Sequence, residues 1–255
     1  MLFREHCPGH QQSALAISQP THAWISGQLL ATWAETLDKP LLLAAEQHDI
    51  GWLDWETNPS FDARTGRPHR FRDIGAAAHA PMWVRGVERA LDAWGARVAI
   101  LISRHGGVIY RRFTDRHRVA EADAAAAEHY LATQAATESG WARALGLDAA
   151  SLDRDTALVA FADTLSLALC GELEVPLQLE APDRTGARRS LRLVVRPEDP
   201  TAFTLSPWPF RGKAFVVEGE ARPLPPEGRF SSEAAMRAWF ASPERVVFRA
   251  RLAPS

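Results

Sequence analysis

The stretch AAEQHDIGWLDWE, residues 44 to 56, sets a histidine beside an aspartate at the end of an apolar run. That run, PLLLAAEQ at 40–47, predicts a core-facing helix that continues to residue 56. A buried imidazole or carboxylate is unfavourable unless it has a partner. We therefore expect His48 and Asp49 either to pair with each other or with nearby protein groups, or to hold something that the sequence does not contain.

The composition is that of a chain able to form a large core. It has 255 residues, 46% of them hydrophobic, and a formal net charge of −2. This balance argues against a chain-wide nucleic-acid interface, and no apolar run approaches the about 18 residues that span a membrane. Cys7 and Cys170 lack metal or redox spacing. No export signal is visible at the N-terminus, so we expect a soluble, cytoplasmic protein without nucleic-acid or membrane partners.

The pattern of the sequence changes near residue 172. Before it, helical spacing and good helix formers dominate. After it, short alternating segments between Pro, Gly and Asp predict five strands and one amphipathic helix, SSEAAMRAWFA at 231–241. We expect a helical unit over 1–172 and a β-rich section over 173–255 that packs on it. Residues 1–18 contain two strand-like pieces that are able to join that sheet.

Six residues with metal-ligand chemistry lie at helix ends or on core-facing helices. They are His22, His48, Asp49, His79, His105 and Asp163. Asp163 lies in a helix that is apolar on most sides, where a carboxylate needs a cation or several donors. Taken singly, each histidine is more often a helix cap or a core residue with a hydrogen-bond partner. Together, imidazole and carboxylate suit iron, manganese, zinc or nickel, and six ligands are sufficient for two ions.

The order of these residues resembles the HD-domain superfamily of metal-dependent phosphohydrolases. HDIG at 48–51 is a common form of its signature, and His22 and Asp163 fit its spacing. The resemblance covers about residues 15–172. It implies a mainly α fold, an HD-domain-like helical bundle, to which the β-rich N-terminal hairpin and C-terminal section are added, so that the chain is α+β overall.

The same resemblance implies roles for the six residues. Asp49 is expected to bridge two ions and to orient a metal-bound water, which makes it the predicted catalytic residue. His22, His48 and Asp163 are expected on one ion, and His79 and His105 on the other.

A narrower resemblance covers nearly the whole chain. The segments QPTHAWISGQL, QHDIGWLDWE, TGRPHRF, LISRHGG and WPF, the last followed by a small helix, are similar to an uncharacterised bacterial family, domain-of-unknown-function family 3891.

The residue after HDIG departs from the superfamily pattern. Many HD-domain enzymes have a lysine there that helps to bind anionic substrate, whereas this chain has Trp52, which suits a pocket wall or simple core packing. Positive charge is present in the loop 57–75 and in the segment 103–118, where arginines suit phosphate or carboxylate but are also typical of a solvated basic face. Those arginines are Arg64, Arg67, Arg70, Arg72, Arg104, Arg111, Arg112, Arg116 and Arg118. We predict that Arg70 and Arg104 bind an anionic substrate and that Trp52 forms a wall of its pocket, with the loop 57–75 at the entrance.

Three functions fit these features. The first is a metal-dependent hydrolase that acts on a small phosphorylated or otherwise anionic compound through metal-activated water, with one or two ions, iron before manganese, zinc or nickel. The second is a di-iron oxygenase of the HD type, because some relatives hold a mixed-valence iron pair with the same ligand order. The third is a non-catalytic metal-binding or ligand-sensing protein. The sequence leaves open whether the protein forms a homo-oligomer.

Overall fold

A computed structural model describes residues 1–5, 14–113 and 119–255. Its helices are α1 (Gln19–Ala31), α2 (Lys39–Gln47), α3 (Leu53–Thr57), α4 (Ala76–Trp94), α5 (Ala96–Phe113), α6 (Glu121–Ala144), α7 (Ala149–Leu169) and α8 (Glu233–Ala241). Its strands are β1 (Leu2–Arg4), β2 (Leu15–Ile17), β3 (Phe61–Asp62), β4 (Arg67–Pro68), β5 (Leu177–Pro182), β6 (Arg188–Arg196), β7 (Asp199–Ser206), β8 (Phe215–Pro223) and β9 (Val246–Pro254). Short 3-10 turns cover Ile50–Trp52 and Phe71–Asp73.

Seven of the strands in the described ranges form one sheet, in the order β1-β2-β8-β9-β7-β6-β5. Neighbouring strands are antiparallel except β7 and β9, which are parallel. Phe248, Ala250 and Leu252 of β9 are buried while the residues between them are exposed, as a strand with one covered face requires. That covered face shares one apolar core with the helices.

The prediction of a mainly α fold is wrong. The protein is α+β with a substantial seven-stranded sheet, and not a mainly helical HD-domain-like bundle. The two N-terminal strands pair with each other in antiparallel fashion, and Leu15 and Ala16 of β2 also pair with Pro223 and Arg222 of β8. Unpaired strand edges leave backbone groups without partners, so distant strands join one sheet when their covered faces share a core.

The five C-terminal strands and the helix at 231–241 are confirmed at the predicted places, and so is the joining of the N-terminal strands to their sheet. The boundary between residues 172 and 173 stays a prediction. The sheet takes strands from both sides of it.

The first helix begins at Gln19, ahead of His22. Ser18 is its N-cap, with a side-chain oxygen that accepts from the Thr21 amide, and Pro20 occupies its first turn. His22 therefore lies inside α1 rather than at its opening.

In the described chain no helix has the length and apolar character needed to cross a bilayer.

Candidate metal centre

Four packed elements bring five of the six predicted ligands together. α1 packs on α2 and α7, and α5 packs on both α2 and α7. His22 lies on α1, His105 on α5 and Asp163 on α7, while His48 and Asp49 follow α2. The three histidines are each 1% exposed and Asp49 is 4% exposed. We refer to these five residues as the His/Asp cluster.

The chain bends at His48 and Asp49, and this bend allows two neighbouring residues to face the same site. Neighbours within a helix project about 100° apart, so they do not both face one point. α2 ends at Gln47, His48 is its C-cap, and Asp49 has φ −102° and ψ 18° before the 3-10 turn begins. The predicted helix through residue 56 is therefore wrong. Its interruption lets both side chains face the cluster.

The ligand atoms of the cluster lie close enough for one shared site. His22 Nε2 is 2.6 Å from Asp49 Oδ2. His48 Nε2 is 3.5 Å from Asp49 Oδ2 and 3.5 Å from Asp163 Oδ1. His105 Nε2 is 3.6 Å from Asp163 Oδ2. Ligands that bind a transition metal at about 2.1 Å lie at most about 4.2 Å apart, so these separations fit a metal ion.

The hydrogen bonds leave ring nitrogens turned toward the carboxylates without partners. His48 Nδ1 donates to the Ala45 carbonyl at 2.8 Å, so the neutral ring carries a lone pair at Nε2. That Nε2 and both ring nitrogens of His105 are buried and make no hydrogen bond to the described residues. Buried polar atoms without partners are rare and unfavourable. A cation between the rings and the carboxylates would satisfy Nε2 of His48 and Nε2 of His105.

The charges of the cluster favour one positive charge at its centre. Burial lowers the pKa of His48, but Asp49 and Asp163 outweigh it and raise this pKa to about 9. Burial opposes ionisation of Asp163, yet the surrounding imidazoles hold its pKa below the usual range. Burial, with the nearby His48, lowers the pKa of His105 to about 4. The two carboxylates that raise the pKa of His48 would equally favour a metal ion beside its ring.

Two serines fix the His22 ring from behind. Ser166 Oγ is 2.8 Å from His22 Nδ1 and donates to the Asp163 carbonyl at 2.8 Å. Ser26 donates to Ser166 at 3.0 Å. Both serines are completely buried. They connect the helix that carries His22 to the helix that carries Asp163.

His79 lies beside the cluster and has other partners. Its Nδ1 is 2.7 Å from the Tyr110 hydroxyl, and its ring stacks on Tyr110. Among the described residues, the groups whose ligand atoms lie within 4.8 Å of one another are His22–His48–Asp49 and His48–His105–Asp163. His79 belongs to neither. Its assignment as a ligand, like the bridging role and catalytic role of Asp49, stays a prediction.

Trp52 is positioned next to His79. It is 4% exposed, and its ring centroid lies 5.8 Å from that of His79 and 5.7 Å from that of Trp55. This location is compatible with a pocket wall, and that role stays a prediction.

The two arginines predicted to bind substrate have acidic partners. Arg70 Nη1 lies 3.2 Å from Glu172 Oε2. Arg104 forms an ion pair with Asp153 and donates from Nε to Thr156 Oγ1 at 3.1 Å. A substrate would have to compete with these carboxylates, and the two substrate roles stay predictions.

The loop 57–75 contacts the β-rich part of the protein. Arg67 pairs with Glu5 at 2.7 Å, and Gly66 accepts a backbone hydrogen bond from Phe230. Its predicted place at the entrance stays a prediction. Arg116 and Arg118 lie outside the described residues.

Two of the residues that support the cluster, Ser26 and Ser166, were not predicted from the sequence. Ser166 stands one turn after Asp163, and Ser26 one turn after His22, each in a helix of mainly apolar residues. A small hydroxyl residue one turn from a predicted ligand was therefore a usable signal. Tyr110 had no comparable signal, because its contact with His79 joins two helices.

These features define an α+β protein with a buried histidine–aspartate centre suited to a metal ion. The chain belongs to the family described as Protein of unknown function (DUF3891), which matches residues 1–226. The narrower resemblance seen in the sequence is thus confirmed. No curated protein and no solved structure matches the chain.

Proposed function

We propose that this protein is a metal-dependent hydrolase that cleaves a small phosphorylated or otherwise anionic compound through metal-activated water. The observation that supports the proposal is the unpartnered Nε2 of His48, buried 3.5 Å from an oxygen of each carboxylate. Because the order of the ligands along the chain is that of the HD-domain superfamily, we also propose a relationship to that superfamily at the level of the metal site.

A divalent ion held there would polarise a phosphoryl oxygen and lower the pKa of a coordinated water toward neutrality. The chain itself supplies the rest. His22 Nε2 and Asp49 Oδ2, 2.6 Å apart, would both hold the ion, which would leave the other oxygen of Asp49 to orient a water. The packed helices keep bulk water from the ring nitrogens of His48 and His105, which strengthens electrostatic interactions inside the site.

The donor set also narrows the choice of ion. Three imidazoles and two carboxylates, without a thiolate in the cluster, suit iron, manganese, zinc or nickel. We propose iron first, in accordance with the resemblance.

The first test is the metal content of the protein purified without added metal or chelator. We expect bound transition metal in the parent and a large loss in His48→Ala and Asp163→Asn. His129→Ala is the matched control, because His129 is exposed on α6, and it should keep the parent content. Absence of metal from the parent after supplementation with iron, manganese, zinc and nickel in turn would contradict the proposal.

The second test is activity. Metal-loaded protein should hydrolyse members of a panel of small phosphomonoesters and phosphodiesters, and the Asp49→Asn variant should not. Oxygen uptake together with the electron paramagnetic resonance signal of a mixed-valence iron pair would instead indicate the oxygenase. Metal binding without turnover in either assay would indicate a non-catalytic protein.

A further inference from the structure

His79 differs from the clustered histidines in access and in partners. It is half-buried, whereas His48 and His105 are almost completely buried. Its ring lies between Tyr110 and Trp52, with centroid distances of 5.4 and 5.8 Å. Trp52 lies in the 3-10 turn that follows Asp49, so its contact with His79 places His79 at the margin of the cluster.

The direction of the His79–Tyr110 hydrogen bond follows from the number of partners. A phenol has one proton, and a buried O–H needs an acceptor. Among the described residues, His79 Nδ1 is the only group that hydrogen-bonds with the buried Tyr110 hydroxyl. If Nδ1 carried the proton, the Tyr110 O–H would have no acceptor. Tyr110 therefore donates, and Nδ1 accepts.

This direction decides what Nε2 of His79 is able to do. A neutral imidazole that accepts at Nδ1 carries its proton at Nε2. Nε2 then presents an N–H rather than a lone pair, and a metal ligand requires the lone pair. No described residue accepts a hydrogen bond from it.

We propose that His79 donates a hydrogen bond from Nε2 to a phosphoryl oxygen of the bound substrate and is not a metal ligand. It is then a catalytic residue, and Tyr110 is a positioning residue that sets its tautomer. The inference rests on the proposed hydrolase function and names the chemistry that His79 recognises, a phosphate oxygen beside the metal. It also assigns the metal to the five clustered residues alone.

The first experiment measures metal per chain. His79→Ala should keep the metal content of the parent, whereas His105→Ala should lose it. Absence of metal from the parent contradicts the hydrolase itself. A parent that binds metal, with a His79→Ala variant that loses it, contradicts this inference alone.

The second experiment reads the tautomer by nitrogen-15 NMR of zinc-loaded protein labelled at histidine, with His79 assigned from the spectrum of His79→Gln. We expect an unprotonated Nδ1 and a protonated Nε2. Tyr110→Phe should remove this preference. Tyr130→Phe is the matched control, because the Tyr130 hydroxyl donates to the Ser103 carbonyl and does not touch His79. A protonated Nδ1 in the parent would overturn the inference.

The third experiment measures binding of inorganic phosphate to the same zinc-loaded proteins by calorimetry. His79→Ala should weaken binding about tenfold or more, and His79→Gln, whose amide still offers a donor, should retain most of the affinity. Equal affinity of the parent and His79→Ala, or no binding by the parent, would overturn the inference.

Discussion

His22 Nε2 and Asp49 Oδ2 lie 2.6 Å apart in a region that solvent hardly reaches. The other nitrogen of the same ring is 2.8 Å from Ser166 Oγ. The contact of Nδ1 with Ser166 restricts rotation of the ring, so α1 presents Nε2 to the cluster in a fixed position. A centre whose ligands are fixed before binding loses less conformational entropy when the ion enters.

Removal of metal should lower the melting temperature. An ion that binds only the folded state and is present at about 100 times its dissociation constant stabilises by about 2.7 kcal/mol, or several degrees for a chain of this length. Calorimetric scans before and after treatment with a chelator test this, with metal loss verified by elemental analysis. The His48→Ala variant is the control and should show no change. An unchanged midpoint in the parent after verified metal loss would contradict a buried site.

Ser166→Ala should weaken metal binding about tenfold to a hundredfold, because His22 then loses the group that fixes its ring. Thr164→Ala is the matched control, since Thr164 lies on the same helix and its hydroxyl donates only to the Ala160 carbonyl. Competition with a chromophoric chelator measures both affinities. Equal affinities of the two variants would show that Ser166 has no role in the centre.

Gly75→Ala should destabilise the protein through a contact between helices. Asp123 on α6 accepts from the Ala77 amide at 2.8 Å and so caps the start of α4, the helix that carries His79. A methyl group at Gly75 would lie 2.4 Å from Asp123 Oδ1 and displace it. We expect a loss of about 1–2 kcal/mol in unfolding free energy, the usual effect of a lost cap.

Denaturant unfolding of a double-mutant cycle tests this explanation. In the Asp123→Ala background, Gly75→Ala should cost much less, because the carboxylate is already absent. Gly140→Ala is the control substitution. Gly140 is exposed on α6 with nothing within 4 Å of its added methyl group, so this variant should be up to about 1 kcal/mol more stable. Strictly additive effects of Gly75→Ala and Asp123→Ala would refute the cap.

Cys170 should be unreactive in the folded protein. It is a buried free thiol, and burial raises its pKa to about 12, so almost no thiolate is present between pH 7 and 9. In a Cys7→Ser variant, which leaves one thiol, a disulfide reagent should label the protein only after unfolding in guanidinium. Labelling of the native variant at the rate of a free peptide thiol would contradict the burial of Cys170.

Much of the local structure could be predicted from the sequence. The alternation of apolar and polar residues located β5 to β9, and helical spacing located most helices. Both patterns depend on the period of the backbone, which acts over a few residues. The boundaries were less accurate, as at Gln47, where α2 ends although the pattern predicted a helix through residue 56.

The candidate site was predictable in its residue types and only partly in its geometry. An aspartate in an apolar helix and a histidine beside an aspartate after an apolar run are unfavourable in a core without partners, so both are visible in the sequence. Three other features were not visible in the sequence. They are the convergence of the five cluster residues, the absence of His79 from both groups of metal-ligand atoms, and the acidic partners of Arg70 and Arg104. Each of these depends on which side chains from distant segments meet.

The sequence by itself determined where helices and strands form and which polar groups need an unusual environment, because propensity, periodicity and the cost of burying charge are local properties. Tertiary structure decided that β2 pairs with β8, about two hundred residues later, and that His22, His48, His105 and the two aspartates share one site. The physical reason is that strand edges find hydrogen-bond partners, and apolar helix faces are buried, through contacts between distant segments. Which segments meet depends on the packing of the whole core.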